Sequence, residues 1–134
     1  MNKLQLVQRF FAQYQSGDRE GACRTYMHDE FELIEPPDLP QGGVFRGWDA
    51  AIKAGNIYAG IWDVEFKDAH YWEIEDSNVL IVRYVVEWTS KRTGRTLTQP
   101  IVELMTIESN KIIKIEVFHF DPGGLLKTLN SGGP

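Results

Sequence analysis

The chain has 134 residues, a net charge of −5 and 43% hydrophobic residues, which predicts one domain with a substantial core. No cluster of Lys and Arg is present to meet phosphates, so a nucleic-acid partner is not expected. No apolar stretch approaches the roughly 20 residues that cross a membrane. The N-terminal segment is amphipathic rather than a signal-peptide core, so we expect a cytoplasmic protein without a membrane partner.

The cysteine and histidine content argues against metal chemistry. The single Cys23 excludes an intrachain disulfide, and its apolar neighbours predict a buried, inert thiol. The three histidines and one cysteine lack the close spacing of a metal motif. A glycine-rich phosphate loop is also missing, so we expect neither a metal nor a cofactor.

The N-terminal half reads as three helices. An apolar stripe at helical spacing predicts the first helix over about 2–15; it consists of Leu4, Val7, Phe11 and Tyr14. Gly17 and Asp18 suit the end of that helix and the N-cap of a second, over about 19–27. Val44–Gly47 is expected to lead into a third helix over about 48–59.

Strands dominate the remainder. Alternating segments predict strands over 30–35, 62–67 and 79–89, and residues 70–75 form either a further strand or a continuation of the second one past a bulge. A hairpin over 100–121 that turns at 108–111 is expected to follow. A short final turn or helix holds Leu125, Leu126 and Leu129, and residues 131–134 are expected to be a disordered tail behind a domain that spans 1–130. Helices followed by antiparallel strands predict an α+β fold, with the helices on one face of a curved sheet.

Three polar residues interrupt apolar strand faces. Glu103 shares a face with Ile101, Met105 and Ile107, and His119 ends the inward set predicted as Ile113, Ile115 and Val117. Glu35 ends the strand face that carries Phe31 and Leu33, just before Pro36 and Pro37. Each carboxylate is either solvated at a strand edge or rim, or lies in a pocket with a perturbed pKa.

The other face of the last strand predicts an interface. Lys114, Glu116, Phe118 and Phe120 point outward there in the predicted register. Two exposed aromatic side chains would form an unusual patch. We therefore expect a homodimer that packs through this face.

The chain resembles the NTF2-like superfamily in its order of elements and in three segments: Phe31–Pro37, the Phe45-Arg46-Gly47 entry to the third helix, and the Ile112–Phe120 strand. The resemblance is to its SnoaL-like and ketosteroid isomerase-like branch, and it covers nearly the whole chain. It implies a cone-shaped α+β barrel with a curved, mostly antiparallel sheet and three helices around a deep pocket. Members are commonly homodimers and include isomerases, polyketide cyclases, dehydratases and non-catalytic binders, so the fold leaves the function open.

Residue by residue, the resemblance implies roles for the three polar residues. Glu35 matches the isomerase general base, which precedes a proline, and Glu103 matches its neutral, hydrogen-bond-donating carboxyl. His119 lies near the aromatic residue of the final strand. Phe10 falls where the isomerases have a tyrosine donor, with Tyr14 one turn later. In the cyclases the acid–base residue lies on the late strands, which favours Glu103 or His119.

These observations favour a small-molecule pocket protein. We expect a cofactor-free and metal-free general acid–base enzyme, an isomerase, cyclase or dehydratase, acting on an apolar, ring-bearing substrate. The candidate catalytic residues are Glu35, Glu103 and His119. The predicted pocket walls are Phe10, Tyr14, Phe31, Leu33, Trp48, Trp62, Tyr84, Trp88, Met105 and Val117. The alternatives are a non-catalytic ligand-binding module or a structural dimer whose own side chains fill the cone.

Overall fold

The computed structural model describes residues 1–130, so the tail expected over 131–134 lies outside the described residues. The helices are α1 (Lys3–Gln15), α2 (Arg19–Tyr26), α3 (Trp48–Ile61) and α4 (Pro122–Lys127). The strands are β1 (Met27–Glu35), β2 (Gly43–Arg46), β3 (Trp62–Glu73), β4 (Val79–Ser90), β5 (Thr96–Glu108) and β6 (Lys111–His119). No helix within this part of the chain is long and apolar enough to cross a membrane.

The strands form one curved, open sheet in the order β2-β1-β6-β5-β4-β3. The β1–β6 pair is parallel and the other neighbouring pairs are antiparallel. The predicted α+β class and the mostly antiparallel sheet are therefore confirmed. The parallel pair requires a long crossover, and the chain between β1 and β6 supplies it as β2, α3 and the β3–β5 meander.

Local capping sets the first two helices where the sequence predicts them. The side chain of Asn2 accepts a hydrogen bond from the Gln5 backbone N–H at 2.8 Å, and the Gln5 side chain bonds the Asn2 backbone in return. Such a capping box satisfies two otherwise unpaired N–H groups. Asp18 caps α2 by accepting from the Gly21 N–H at 2.9 Å.

The core lies between α1–α3 and the inner face of the sheet. Strand β4 supplies its centre, with the alternating residues predicted to face inward all buried: Leu80, Val82, Tyr84, Val86 and Trp88. The residues between them on β4, which point to the other face of the sheet, remain partly exposed. This period-two burial is the pattern of a sheet with one face covered by helices.

A bulge in the β5–β6 hairpin changes one predicted core residue. Thr106 pairs with Lys114, whereas Ile107 pairs with Ile112, so Ile113 is the extra residue of the bulge. Ile112 is therefore fully buried in the place expected for Ile113, which is only partly buried. The turn itself is as predicted, since Ser109 and Asn110 both have positive φ.

One further segment differs from expectation. Residues 43–46 form the short strand β2 beside β1 rather than a lead-in to α3, because Val44 pairs with Ile34 and Phe45 with Leu33. Strand β3 continues past a bulge between Lys67 and His70, which confirms one of the two alternatives predicted for this segment.

The C-terminal helix is attached through one buried indole. Trp62 is 1% exposed, and its Nε1–H donates to the Thr128 hydroxyl at 2.8 Å. The Thr93 hydroxyl also donates to the Thr128 carbonyl, and Leu125 of α4 is fully buried. These contacts fix α4 against the β4–β5 end of the sheet.

We predict that Trp62→Phe destabilises the protein by about 2 kcal/mol, because the smaller ring leaves space and the Thr128 hydroxyl loses its buried donor. Urea denaturation would measure the free energy of unfolding. Gln8→Ala on the exposed face of α1 is the control and should change stability by less than about 0.5 kcal/mol. Equal effects of the two variants would contradict the role given to Trp62.

Candidate active site

A cavity opens between the helices and the inner face of the sheet, with about 780 Å³ of empty space that includes open solvent at its mouth. Glu35, Glu103 and His119 all line it. Seven of the predicted wall residues line it as well: Phe10, Tyr14, Phe31, Leu33, Tyr84, Trp88 and Val117. A few polar groups within an aromatic wall are typical of small-molecule sites.

Three predicted wall residues lie elsewhere. Trp48, at the start of α3, donates its indole N–H to the Met27 carbonyl at 2.9 Å and lies 5.6 Å from the Arg24 guanidinium. Trp62 is directed to Thr128 beneath α4, as described above. Met105 is fully buried in the core beside Leu80, its partner on β4, and does not reach the cavity. Strand alternation predicted the burial of Trp62 and Met105 but not which part of the interior they occupy, and Trp48, predicted to face inward on its helix, is only partly buried.

Glu103 lies in the centre of β5 and is 6% exposed. Tyr84, on the neighbouring strand, donates its hydroxyl hydrogen to Glu103 Oε2. Burial raises the pKa of Glu103 to about 7; the Tyr84 hydrogen bond opposes that rise, and the negative charge of Glu35 adds to it. Burial also raises the pKa of Tyr84 well above its ordinary value, so its phenol stays protonated as a donor.

Glu35 lies at the end of β1, where its side chain is 15% exposed. Burial raises its pKa, and His119 opposes that rise. His119 Nε2 lies 3.5 Å from Glu35 Oε2, which is too long for a good hydrogen bond, and Oε2 has no other partner. Glu35 Oε2 therefore lies beside His119 without a hydrogen bond of good geometry.

A hydrogen-bond chain behind His119 fixes which ring nitrogen carries its proton. The backbone N–H of Asp121 donates to Gln99 Oε1 at 2.6 Å. The NH₂ end of the Gln99 side chain therefore faces His119, with Nε2 at 3.3 Å from Nδ1. Because an amide NH₂ only donates, Nδ1 must accept and the proton of the neutral ring resides on Nε2. That N–H points toward Glu35.

A tyrosine pair forms another polar part of the wall. The hydroxyls of Tyr14 and Tyr58 lie 2.6 Å apart. A Cβ at Gly55 would lie 3.2 Å from the Tyr14 hydroxyl, so glycine here allows α3 to approach α1 closely. Burial is the main cause that raises the pKa of both phenols, so both remain hydrogen-bonding groups rather than bases.

Two lining residues and one supporting residue escaped the sequence analysis. Tyr58 follows Ala51 and Ala54 on one face of α3, and that helical spacing was a usable signal. Gln99 supports His119 from behind the cavity wall and shares the inward face with Ile101 and Glu103, but the hairpin was predicted to start one residue later. Gln41 lies in a Pro/Gly loop, where no periodicity marks a side chain as buried.

Cys23 is buried as predicted, and burial raises the pKa of its thiol to about 11. It borders the cavity but has no thiolate character near neutral pH. Within residues 1–130, His, Cys, Asp and Glu form no group of three that could hold a metal ion. The ionisable chemistry of the cavity therefore belongs to Glu35, Glu103 and His119.

We predict that Glu103→Gln becomes more stable relative to the parent protein as pH rises. The folded pKa of Glu103 is about 7 and its ordinary value is about 4.3. The stability due to the neutral carboxyl is thus fully present below about pH 4 and is lost as pH climbs to about 7. Glutamine does not ionise and can still accept from Tyr84, so the relative gain should be on the order of 3 kcal/mol.

Urea denaturation between pH 4 and pH 8 measures this difference. Glu65→Gln on the exposed face of β3 is the matched control and should show little pH-dependent gain. If Glu103→Gln instead loses several kcal/mol at pH 7, Glu103 is ionised and paired in the folded protein.

The chain matches one protein-family model and is similar in fold to several solved structures. The family model of the SnoaL-like domain matches residues 7–115. An NTF2-like protein from Burkholderia xenovorans LB400 has 21% identity and a TM-score of 0.82 over 95% of both chains. TerC, co-crystallised with polyporic acid, has 18% identity and a TM-score of 0.82 over 93% of this chain and 95% of its own.

A candidate polyketide cyclase from Xanthomonas campestris pv. campestris has 15% identity and a TM-score of 0.79, over 93% of this chain and 95% of its own. At these identities the structural likeness shows the fold alone. No curated protein matches the chain significantly. The family model nevertheless covers most of the sequence, and the chain therefore belongs to the SnoaL-like domain family, with an NTF2-like fold.

Proposed function

We propose that this protein is a cofactor-free enzyme that transfers a proton on an apolar, ring-bearing small molecule by general acid–base catalysis, as an isomerase, cyclase or dehydratase. One observation carries the proposal: two carboxyl groups share one apolar cavity, and burial raises the pKa of each. Perturbed carboxyls in a cavity are typical of acid–base sites. A structural module filled by its own side chains does not need such a cavity.

Glu35 is the proposed base. Its Oε2 atom has no hydrogen-bond partner, so a lone pair is available to a substrate C–H. Desolvation makes the carboxylate more basic than it is in water, which favours proton abstraction. His119 is the proposed orienting residue, because its Nε2 lies 3.5 Å from Glu35 Oε2 while the Gln99 side chain lies against its Nδ1.

Glu103 is the proposed hydrogen-bond donor. With a pKa of about 7, a large fraction of this carboxyl is neutral at physiological pH. A neutral carboxyl can donate to a substrate oxygen on which charge develops. Tyr84 holds one carboxyl oxygen in place and leaves the other for the ligand.

A non-catalytic ligand carrier is the second candidate. Phe10 places an apolar ring where the isomerases have a hydroxyl donor, and the Tyr14 hydroxyl is already paired with Tyr58. The fold neighbour TerC was co-crystallised with polyporic acid, which fits either a catalytic or a binding cavity. Measured proton transfer separates the two candidates.

We expect Glu35→Gln to reduce proton exchange at the carbon beside the carbonyl of a ring ketone by roughly 10²–10⁴-fold, because the amide cannot accept the proton. The assay follows deuterium incorporation into β-tetralone in heavy water by NMR. Affinity for the ketone should change little. Glu35→Asp should lose less, since the carboxylate remains but is displaced.

Glu32→Gln is the matched control, because Glu32 lies on the same strand but pairs with Arg46 outside the cavity. It should leave exchange unchanged. Exchange that survives Glu35→Gln would move the chemistry to Glu103 and His119. Absence of exchange in the parent protein, together with binding of the ketone, would favour the carrier.

We also propose a homodimer formed through the outer face of the sheet. Strand registers place one row of residues side by side across that face: Trp72, Ile81, Leu104, Glu116, Ile34 and Val44. Beside this row, Phe118 is 51% exposed and Phe120 is 80% exposed. A contiguous apolar face of this kind is typical of an interface.

Light scattering at micromolar concentration should give twice the chain mass of 15.4 kDa. Phe118→Asp should give the monomer mass, because a buried unpaired charge opposes association. Gln8→Asp introduces the same charge on the exposed face of α1 and should remain a dimer. A parent protein that is monomeric under these conditions contradicts the proposed interface.

A further inference from the structure

The unpaired polar atoms of the interior are concentrated in one place. Within residues 1–130, the buried side-chain atoms without a hydrogen-bond partner are Glu35 Oε2, Gln41 Oε1 and Trp88 Nε1. All three residues line the cavity. Buried polar groups are nearly always paired, and an unpaired one costs about 1–3 kcal/mol. Such a cluster indicates groups whose partner is a ligand.

Trp88 differs from the other buried tryptophans in this respect. The indole N–H of Trp62 donates to Thr128 at 2.8 Å, and that of Trp48 donates to the Met27 carbonyl at 2.9 Å. Trp88 is 5% exposed, and its N–H has no acceptor. The centroid of its ring lies 5.7 Å from that of His119, the residue whose Nε2 is 3.5 Å from Glu35 Oε2.

Gln41 is held by a compact loop. It is 2% exposed although it lies between β1 and β2, in the segment that directly follows Glu35. The loop is fixed by the Gly42 N–H donating to Leu39 O at 2.8 Å. A Cβ at Gly42 would lie 2.1 Å from the Pro36 carbonyl oxygen, so the loop closes too tightly for another residue there. The Gln41 amide is therefore presented to the cavity by a rigid segment.

We propose that Trp88 and Gln41 form a two-point recognition site for a hydroxylated ring ketone: Trp88 Nε1–H donates to the ligand carbonyl, and Gln41 Oε1 accepts from a ligand hydroxyl. The assignment of the ketone to the Trp88 side rests on the proposed function, because the Trp88 ring lies next to His119, the neighbour of Glu35. The ligand oxygen can accept from both Trp88 and the proposed donor Glu103. The apolar remainder of the cavity accommodates the rings. The site thus specifies a ligand with one acceptor and one donor.

The proposed hydrogen bond from the Trp88 N–H to the ligand carbonyl also contributes to the chemistry. When Glu35 takes a proton from the carbon beside the carbonyl, the C–H electron pair forms the enolate double bond and the carbonyl π pair moves onto oxygen. The oxygen becomes a stronger acceptor, so the Trp88 N–H stabilises the enolate more than the ketone. Trp88 is in this sense a catalytic donor, whereas Gln41 determines specificity.

Three ring compounds test the site by calorimetric titration: a β-tetralone that carries a phenolic hydroxyl, β-tetralone itself, and the tetrahydronaphthol that lacks the ketone. Trp88→Phe removes the N–H and keeps an aromatic ring. We expect it to weaken both ketones roughly 3- to 10-fold and the phenol little, as for the loss of one hydrogen bond. Gln41→Met should weaken the two hydroxylated probes by a similar factor and leave β-tetralone unchanged.

The stability of the free protein separates recognition from a structural role. Trp88→Phe removes an unpaired donor, so the melting temperature without ligand should fall much less than for Trp62→Phe. Trp62→Phe, a change of the same kind at a paired indole, should lower stability but leave all three affinities unchanged. Gln41→Met provides an independent test should Trp88→Phe fold poorly.

Each titration is repeated in the Glu35→Gln background, where turnover is absent, so a failure of the catalytic proposal does not affect this test. Equal losses for all three probes in Trp88→Phe, no loss in either variant, or no binding of any probe to the parent protein would overturn the recognition site. Selective losses with an inactive parent protein would retain the site and refute only the catalysis.

Discussion

Removal of two carboxyl groups from water is the constraint on which the rest of this site depends. Glu35 and Glu103 lie in one apolar cavity, where burial is the largest cause of the raised pKa of each. Buried charge is costly unless it is paired or neutralised. The fold meets this cost in two ways: Tyr84 donates a hydrogen bond to Glu103, and His119 opposes the rise in the pKa of Glu35.

The two carboxyls differ because their neighbours differ. Tyr84 comes from the strand next to Glu103, so this pair is fixed by the sheet register itself. His119 depends on a more distant support, since Gln99 is oriented by the backbone N–H of Asp121, which is also the N-cap of α4. The final helix thus acts on the site through one amide, although no part of α4 lines the cavity.

The cavity exists because small residues face large ones across it. Ala51, Ala54 and Gly55 are the buried positions of α3, and a larger residue at 55 would meet the Tyr14 hydroxyl. Space is therefore left between α3 and the sheet instead of being filled by aliphatic side chains. Gln41 and Trp88, each with an unpaired buried polar atom, line that space, which is the physical reason to regard them as candidate ligand contacts.

The sequence alone determined the α+β class, the bounds of α1 and α2 and the inward face of β4, because periodicity and caps are local properties. For the same reason it showed that Glu35, Glu103 and His119 interrupt apolar faces. The β6 bulge was not predictable, since the extra residue Ile113 is set by pairing with β5. Likewise, alternation marked Trp62 and Met105 as buried but could not separate core from cavity. Only the tertiary structure decided that, because a cavity is the space left between elements far apart in the chain. Gln41 and Tyr58 line it only once those elements have packed.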